Sequence, residues 1–241
     1  MKKIISKATL LLFVATLMTA CHVNGFNGIS GNKHVVTKDR SLKKEFTKID
    51  VSQGITVYLT MGNKSTVVLE ADENLHDIII TEIVDGVLKI YAKENIRKAK
   101  ARNVHVTAPK INTIEASSGS RVVSENTMIV DNFDAKASSG ASIEFLIITE
   151  NINSTSSSGS TIKLKGKAYV HQAKASSGSS IHANDLDTEE ALAKVSSGAS
   201  INLNATHKLN AKASSGGSIH FTGKPKEIVK NSSSGGNISG Y

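Results

Sequence analysis

The chain has 241 residues, a formal net charge of +8, one cysteine, no tryptophan and 4% aromatic residues. A single cysteine excludes an intrachain disulfide framework, so packing alone has to hold the fold. The scarcity of aromatic side chains argues against a base-stacking platform for nucleic acid and against the aromatic-faced groove of a carbohydrate-active enzyme.

Lys2, Lys3 and Lys7 precede an apolar run from Ala8 to Ala20. That run is shorter than the ~20 residues a membrane-spanning helix needs and has the layout of a secretory signal peptide. It ends in Leu17-Met18-Thr19-Ala20-Cys21, which resembles a bacterial lipobox with Met18 in the place leucine usually takes. Residues 1–20 are therefore expected to be a lipoprotein signal peptide and Cys21 the lipidated residue, tying the protein to the outer membrane in the cell envelope. Acylation also accounts for an otherwise unpaired thiol in an exported chain. Residues 21–44 are polar, carry Gly25, Gly28 and Gly31 and show no period, so they are expected to form a flexible tether.

Residues 45–110 alternate strongly, as in Ile55-x-Val57-x-Leu59 and Val104-x-Val106, and carry no Ser-Ser-Gly. They are expected to make an all-β cap on the N-terminal end of the repeats. Val84-Asp85-Gly86-Val87 is a hairpin signal, because Asp-Gly suits the positive φ of a primed turn.

Residues 111–241 are repetitive. Ser-Ser-Gly recurs with its glycine at Gly119, Gly140, Gly159, Gly178, Gly198, Gly216 and Gly235, in steps of 18 to 21 residues. A fixed period of that size means stacked coils, none of which can bury its apolar face alone. Three residues after each glycine stand Val122, Ile143, Ile162, Ile181, Ile201, Ile219 and Ile238, and before it runs an Ala-x-Ala pattern. Both have the two-residue period of a half-buried strand, so the fold class is all-β, a parallel β-helix with ~19 residues per coil behind an N-terminal β cap. Asp187 to Lys194 is the best local helix former, yet the Ala-x-Ala register persists through it.

The seven serine pairs are architectural, since a nucleophilic serine needs one histidine base and one orienting acid. Asp131, Asp134, Asp185, Asp187, Glu189 and Glu190 are expected in turns of variable length, out of register with one another, which speaks against a paired-carboxylate enzyme. His182 and His220 share a column two coils apart, too far to hold one zinc; neither metal nor cofactor is expected. The sharpest surface feature is the outward column holding Lys136, Lys174, Lys194 and Lys212. It suits an anionic ligand such as an acidic polysaccharide, and it also serves simply to keep a sheet face soluble and unaggregated. The last coil ends at Asn237-Ile238-Ser239-Gly240-Tyr241, and its C-terminal edge is a candidate surface for homo-oligomers.

Residues 46–59 (Phe46-Thr-Lys-Ile-Asp-Val-Ser-Gln-Gly-Ile-Thr-Val-Tyr-Leu), residues 82–90 and the recurring Ser-Gly-(Ala/Ser)-Ser-Ile coils resemble the head GIN domain family of auto-transporter adhesins, known mainly from Bacteroidetes. The resemblance covers about residues 45–241. It implies a right-handed β-helix, a cell-envelope location and an adhesive role, with no catalytic residues to carry over. It does not extend to a C-terminal membrane barrel, so attachment is expected to run through Cys21. The expected function is a non-catalytic lipoprotein that presents its ladders to a glycan or another envelope component. A structural role through protein–protein contacts and a carbohydrate-active enzyme are the alternatives.

Overall fold

The repeat is built on its corner. At each Ser-Ser-Gly both the second serine and the glycine hold positive φ, from Ser118 at 52° and Gly119 at 71° to Ser234 at 47° and Gly235 at 75°. The residue after the glycine donates its N–H to the first serine's carbonyl, as Ser120 does to Ser117 at 3.1 Å. This is a type I′ turn. Glycine enters that region freely, whereas serine there costs on the order of 1 kcal/mol. A ladder offsets the cost: each corner glycine N–H donates to the second-serine carbonyl of the next coil, from Gly119 to Ser139 at 3.0 Å through Gly216 to Ser234 at 3.2 Å.

The structure, a computed structural model, describes residues 28–42 and 44–240. The expected signal peptide, Cys21 and the first residues of the expected tether lie outside the described residues. Among the described residues no helix is long and apolar enough to cross a membrane.

On one side of the corners nine strands stack in parallel. In spatial order they are β7 (Val87–Ala92), β3 (Lys48–Val51), β10 (Thr113–Ala116), β12 (Met128–Ala137), β13 (Ser142–Ser156), β14 (Thr161–Ala175), β15 (Ser180–Val195), β17 (Lys208–Ala213) and β19 (Glu227–Ser232). Across the corners a second parallel stack runs from β9 (Arg102–Ala108) through β4 (Thr56–Met61), β11 (Arg121–Ser124), β13, β14, β15, β16 (Ser200–Asn204) and β18 (Ser218–Thr222) to β20 (Asn237–Gly240). The result is the parallel β-solenoid that the period requires. The segment from Asp187 to Lys194 is strand, part of β15, because its alanines must fill a column rather than a helix face.

The inward columns are dry. Ile143, Ile162, Ile181, Ile201 and Ile219 are each 0% exposed and pair with one another from coil to coil. Uneven coil lengths are absorbed without losing this seam. Lys163 pairs with His182 but Lys165 with Asp185, so the extra residue of the longer coil is taken up in a bulge between them, and the strand resumes its alternation beyond it.

The cap is partly a coil of the helix. Gln53 (φ 60°) and Gly54 (φ 70°) form an eighth corner, and Gly54 donates to the Ser118 carbonyl at 2.9 Å. Ile49, Val51 and Val57 pair with Ile114, Ala116 and Val122. The chain makes this coil first, adds the β7/β9 rung outside it, and then returns to its other side to begin the Ser-Ser-Gly coils. Two antiparallel additions cover the outer rung: β6 (Ile79–Val84) on β7, joined by the Asp85-Gly86 hairpin turn, and β5 (Thr66–Asp72) on β9.

The tether expectation needs correction where the structure describes it. β2 (Val35–Arg40) pairs antiparallel with β5 over six residues, and β1 (Ile29–Ser30) pairs parallel with β8 (Ile96–Lys98). The physical reason is Asp72, which is fully buried and accepts backbone N–H groups from Lys33 at 2.9 Å, Lys100 at 3.0 Å and Ala101 at 2.9 Å. Burial works to raise this carboxyl, but the three donors outweigh it and hold it below the usual carboxylate range,. A polar stretch with few apolar residues is thus anchored by one buried anion.

At the other end the stack closes with a charge. Lys230 stands in the column filled by Ala173, Ala193 and Ala211, with its Nζ 4.6 Å from the Phe221 ring centroid. All of β19 is exposed, including Ile228 and Val229. A charge at an inward position of a terminal strand blunts an edge that would otherwise template another strand. Lys230→Ala should therefore increase concentration-dependent association in sedimentation velocity relative to wild type. Identical sedimentation of the two proteins at every concentration would show that Lys230 does not guard this edge.

Candidate functional site

The outward column two residues before each corner serine can be followed from end to end. It reads Lys89, Asp50, Glu115, Lys136, Thr155, Lys174, Lys194, Lys212 and Asn231, each paired with the next in register. Strands in such a ladder lie roughly 4.8 Å apart. Beyond Lys89 on the outermost rung, the charges are sorted, with acids at Asp50 and Glu115 and cations toward the C-terminal half.

Lys136 belongs to the acidic half. Its Nζ lies 2.7 Å from Glu115 Oε1, and that bond holds its ammonium above the ordinary lysine range. Asp50, one rung further, is pushed up by burial and by Glu115, against the opposing pull of Lys89. Lys136 thus differs from the other lysines of the column: it is ion-paired, and Thr155 separates it from the rest.

Lys174, Lys194 and Lys212 remain. All three are exposed, and none has an ion pair among the described residues. They line one side of an open groove of about 420 Å³ whose other wall is the first corner serines Ser176, Ser196 and Ser214 and whose floor is Ala175, Val195 and Ala213. The small floor residues let the groove form, and the type I′ corners hold the serines in register with the lysines. Three ammonium groups at one-rung spacing repel one another mildly, a cost that a ligand with evenly spaced anions removes. Chemically the groove can bind charge; no carboxylate or imidazole is among its lining residues.

The acidic residues lie elsewhere than expected. Asp131 and Asp134 are in β12, and Asp185, Asp187, Glu189 and Glu190 in β15, in strands rather than in turns. Asp185 and Asp187 pair in register with Lys165 and Lys167, which places an acid beside a base instead of two acids across a cleft. Among the described residues no cluster of three or more His, Cys, Asp or Glu could hold a metal. His182 and His220 stand on either side of Asn202, two rungs apart.

Two features escaped the column pattern. One is a set of exposed apolar residues: Ile129, 72% exposed, pairs with Ile148, Leu146 lies exposed on the same strand as Ile148, and Tyr169 on the next strand. The other is a buried pair, Ser154 Oγ to His171 Nε2 at 2.8 Å. It has the look of a nucleophile and its base, but both residues are sealed in the core and the Nδ1 of His171 has no partner, so no orienting acid exists and no substrate reaches it. The signal was in the sequence. His171 breaks the column seven residues before the corner, which otherwise reads Phe133, Ile152, Ala191 and Leu209.

Against this geometry, comparison with known proteins is informative. Residues 45–225 match the family model described as "Putative auto-transporter adhesin, head GIN domain". The chain belongs to this family. Solved structures agree on the fold: a putative adhesin from Bacteroides fragilis is 24% identical with a TM-score of 0.82, covering 89% of this chain and 100% of its own. A putative lipid binding protein from Parabacteroides distasonis is 19% identical with a TM-score of 0.72, covering 88% and 99%. A putative adhesin from Parabacteroides merdae is 18% identical with a TM-score of 0.71, covering 88% and 98%. Among curated proteins none matches. The head GIN membership explains why the Gln53-Gly54 coil falls inside the matched region, and it points to association with the cell envelope or surface.

Proposed function

We propose that this head GIN protein is a non-catalytic, Cys21-anchored envelope lipoprotein of the outer membrane that acts by contact, binding an anionic polysaccharide or similarly charged envelope polymer along the groove of Lys174, Lys194 and Lys212. The observation that carries this reading is the unpaired three-lysine ladder walled by serines. A polymer bearing one carboxylate per sugar meets it as charge against charge at each rung, with hydroxyl groups available to the corner serines. Binding of this kind weakens with salt, because exposed charges are screened over about 10 Å at 0.1 M ionic strength.

The test is equilibrium binding of acidic and neutral polysaccharides to the wild type and to Lys174→Ala/Lys194→Ala/Lys212→Ala. Acidic polymers should bind the wild type at low salt, and the variant should lose about tenfold or more, at roughly 0.5–1 kcal/mol for each exposed contact. Equal binding of acidic and neutral polymers, or no effect of the triple substitution, would remove the groove from the function.

A second reading has its own support. Ile129, Leu146, Ile148 and Tyr169 expose apolar surface on adjacent strands, and an apolar patch on a soluble face marks protein contacts. Under that reading the partner is a surface protein or another copy of the chain, and aspartate at Ile129 and Ile148 would abolish the association while leaving polysaccharide binding intact.

A further inference from the structure

The segment that leaves the fold toward Cys21 does so from the cap. Ile29 donates to the Asn95 carbonyl at 2.8 Å and Gly31 to the Lys98 carbonyl at 2.7 Å, while Arg97 donates to Ser30 Oγ from Nε at 3.3 Å and from Nη2 at 3.2 Å. Only seven residue steps separate Gly28 from Cys21, and a chain of that length spans at most roughly 25 Å. The docking of β1 and β2 therefore converts a long tether into a short leash that starts beside β8.

The surface at that exit is basic. Lys93, Arg97, Lys98 and Lys100 follow one another along the chain with Glu94 as the one acid among residues 93–100. Lys33 joins them, since its backbone and that of Lys100 bond the same Asp72 carboxylate. All five cations are exposed and none has an ion pair among the described residues. The nearby acid Glu73 is engaged by His34 at 3.2 Å.

We propose that this cap surface, Lys33, Lys93, Arg97, Lys98 and Lys100, is a membrane-docking face that takes anionic lipid headgroups, so that the rod stands on its cap. The proposal rests on reading Cys21 as the lipidated residue, because the leash is then short enough to hold the cap against the bilayer. Acyl anchoring and a basic patch act together as two membrane signals, and each cation near an anionic surface strengthens attraction measurably. The stack of nine rungs then carries the groove away from the bilayer, with the C-terminal coil roughly 38 Å above the β7 rung. The basic cap surface and the lysine ladder of the C-terminal half are then two separate cationic surfaces, one for lipid and one for a distant ligand.

The experiment uses the unacylated chain from residue 21 onward with Cys21→Ser, which keeps every strand of the fold and separates the surface from the anchor. Cosedimentation is measured with phosphatidylcholine vesicles, with and without one quarter phosphatidylglycerol, for this protein, for Lys93→Glu/Lys98→Glu/Lys100→Glu and for Lys174→Glu/Lys194→Glu/Lys212→Glu. The cap variant leaves Arg97 and its bonds to Ser30 untouched, and an unchanged melting temperature verifies its fold. Binding should require phosphatidylglycerol, fall roughly tenfold or more in the cap variant, and stay within twofold in the groove variant. No preference for anionic vesicles, or a larger loss in the groove variant than in the cap variant, overturns the proposal. Whether Cys21→Ser releases the protein from cell membranes tests the anchor separately, so the two readings can fail independently.

Discussion

Between pH 7 and pH 4 the protein should lose about 3 kcal/mol of stability through His171 alone. Its imidazole is sealed in the core and burial pulls it down to about 4, against an ordinary value near 6.5. Proton counting gives the sign. Between those two values the unfolded chain binds a proton that the folded chain refuses, so stability falls as pH drops through that window and levels off below it. The bond between Ser154 Oγ and His171 Nε2 at 2.8 Å is one that the neutral ring keeps in either tautomer. The check is urea denaturation across pH 4 to 7 of wild type and of Ser154→Ala/His171→Leu, which restores alanine and an apolar residue to their columns. The double variant should lack the wild type's slope between pH 6.5 and 4. Parallel profiles would mean that His171 titrates freely and is not buried. Asp72, held below the ordinary carboxylate range by its three backbone donors, gives up its stabilisation only as pH falls further, through its folded value, and so does not obscure the difference.

Ile181→Ala should cost about 2–5 kcal/mol, the usual range for a large aliphatic side chain removed from a packed core. Ile181 is fully buried between Ile162 and Ile201, with a rung above and a rung below to keep the cavity from collapsing. Ile238 occupies the same column on the last described rung, pairs on one side only, with Ile219, among the described residues, and is only partly buried; its replacement by alanine should cost about 1 kcal/mol or less. The comparison tests the stack itself, since the two substitutions are chemically identical and differ only in rung. Equal losses in chemical denaturation would mean that position along the solenoid does not matter, which a one-dimensional stack forbids.

Much of this architecture was legible because every rung of a solenoid constrains its neighbours. Seven glycines at a near-constant interval place the isoleucine column, and seven equivalent residues agreeing on one face outweigh any local preference, as Asp187 to Lys194 shows by forming a strand. The eighth corner was harder to see because Gln53-Gly54 uses a different residue for the first positive-φ position; the turn demands the backbone shape, and serine is one of several residues that tolerate it. Lys136 looked like a member of the stripe because columns report register and not charge partners, and Glu115 lies a full coil earlier in the chain.

What the amino-acid order determined alone was everything that repeats: the coil, its dry seam, its outward lysines and the regular spacing of its glycines. What only the tertiary structure decided was everything that happens once. The docking of β1 and β2 around Asp72, the sealing of His171 against Ser154, and the ion pair of Lys136 with Glu115 each occur at one place in the fold and join residues well separated in sequence. A periodic signal is amplified by every copy, whereas a lone long-range contact leaves no pattern in the chain and exists only when the folded backbone brings its two ends together.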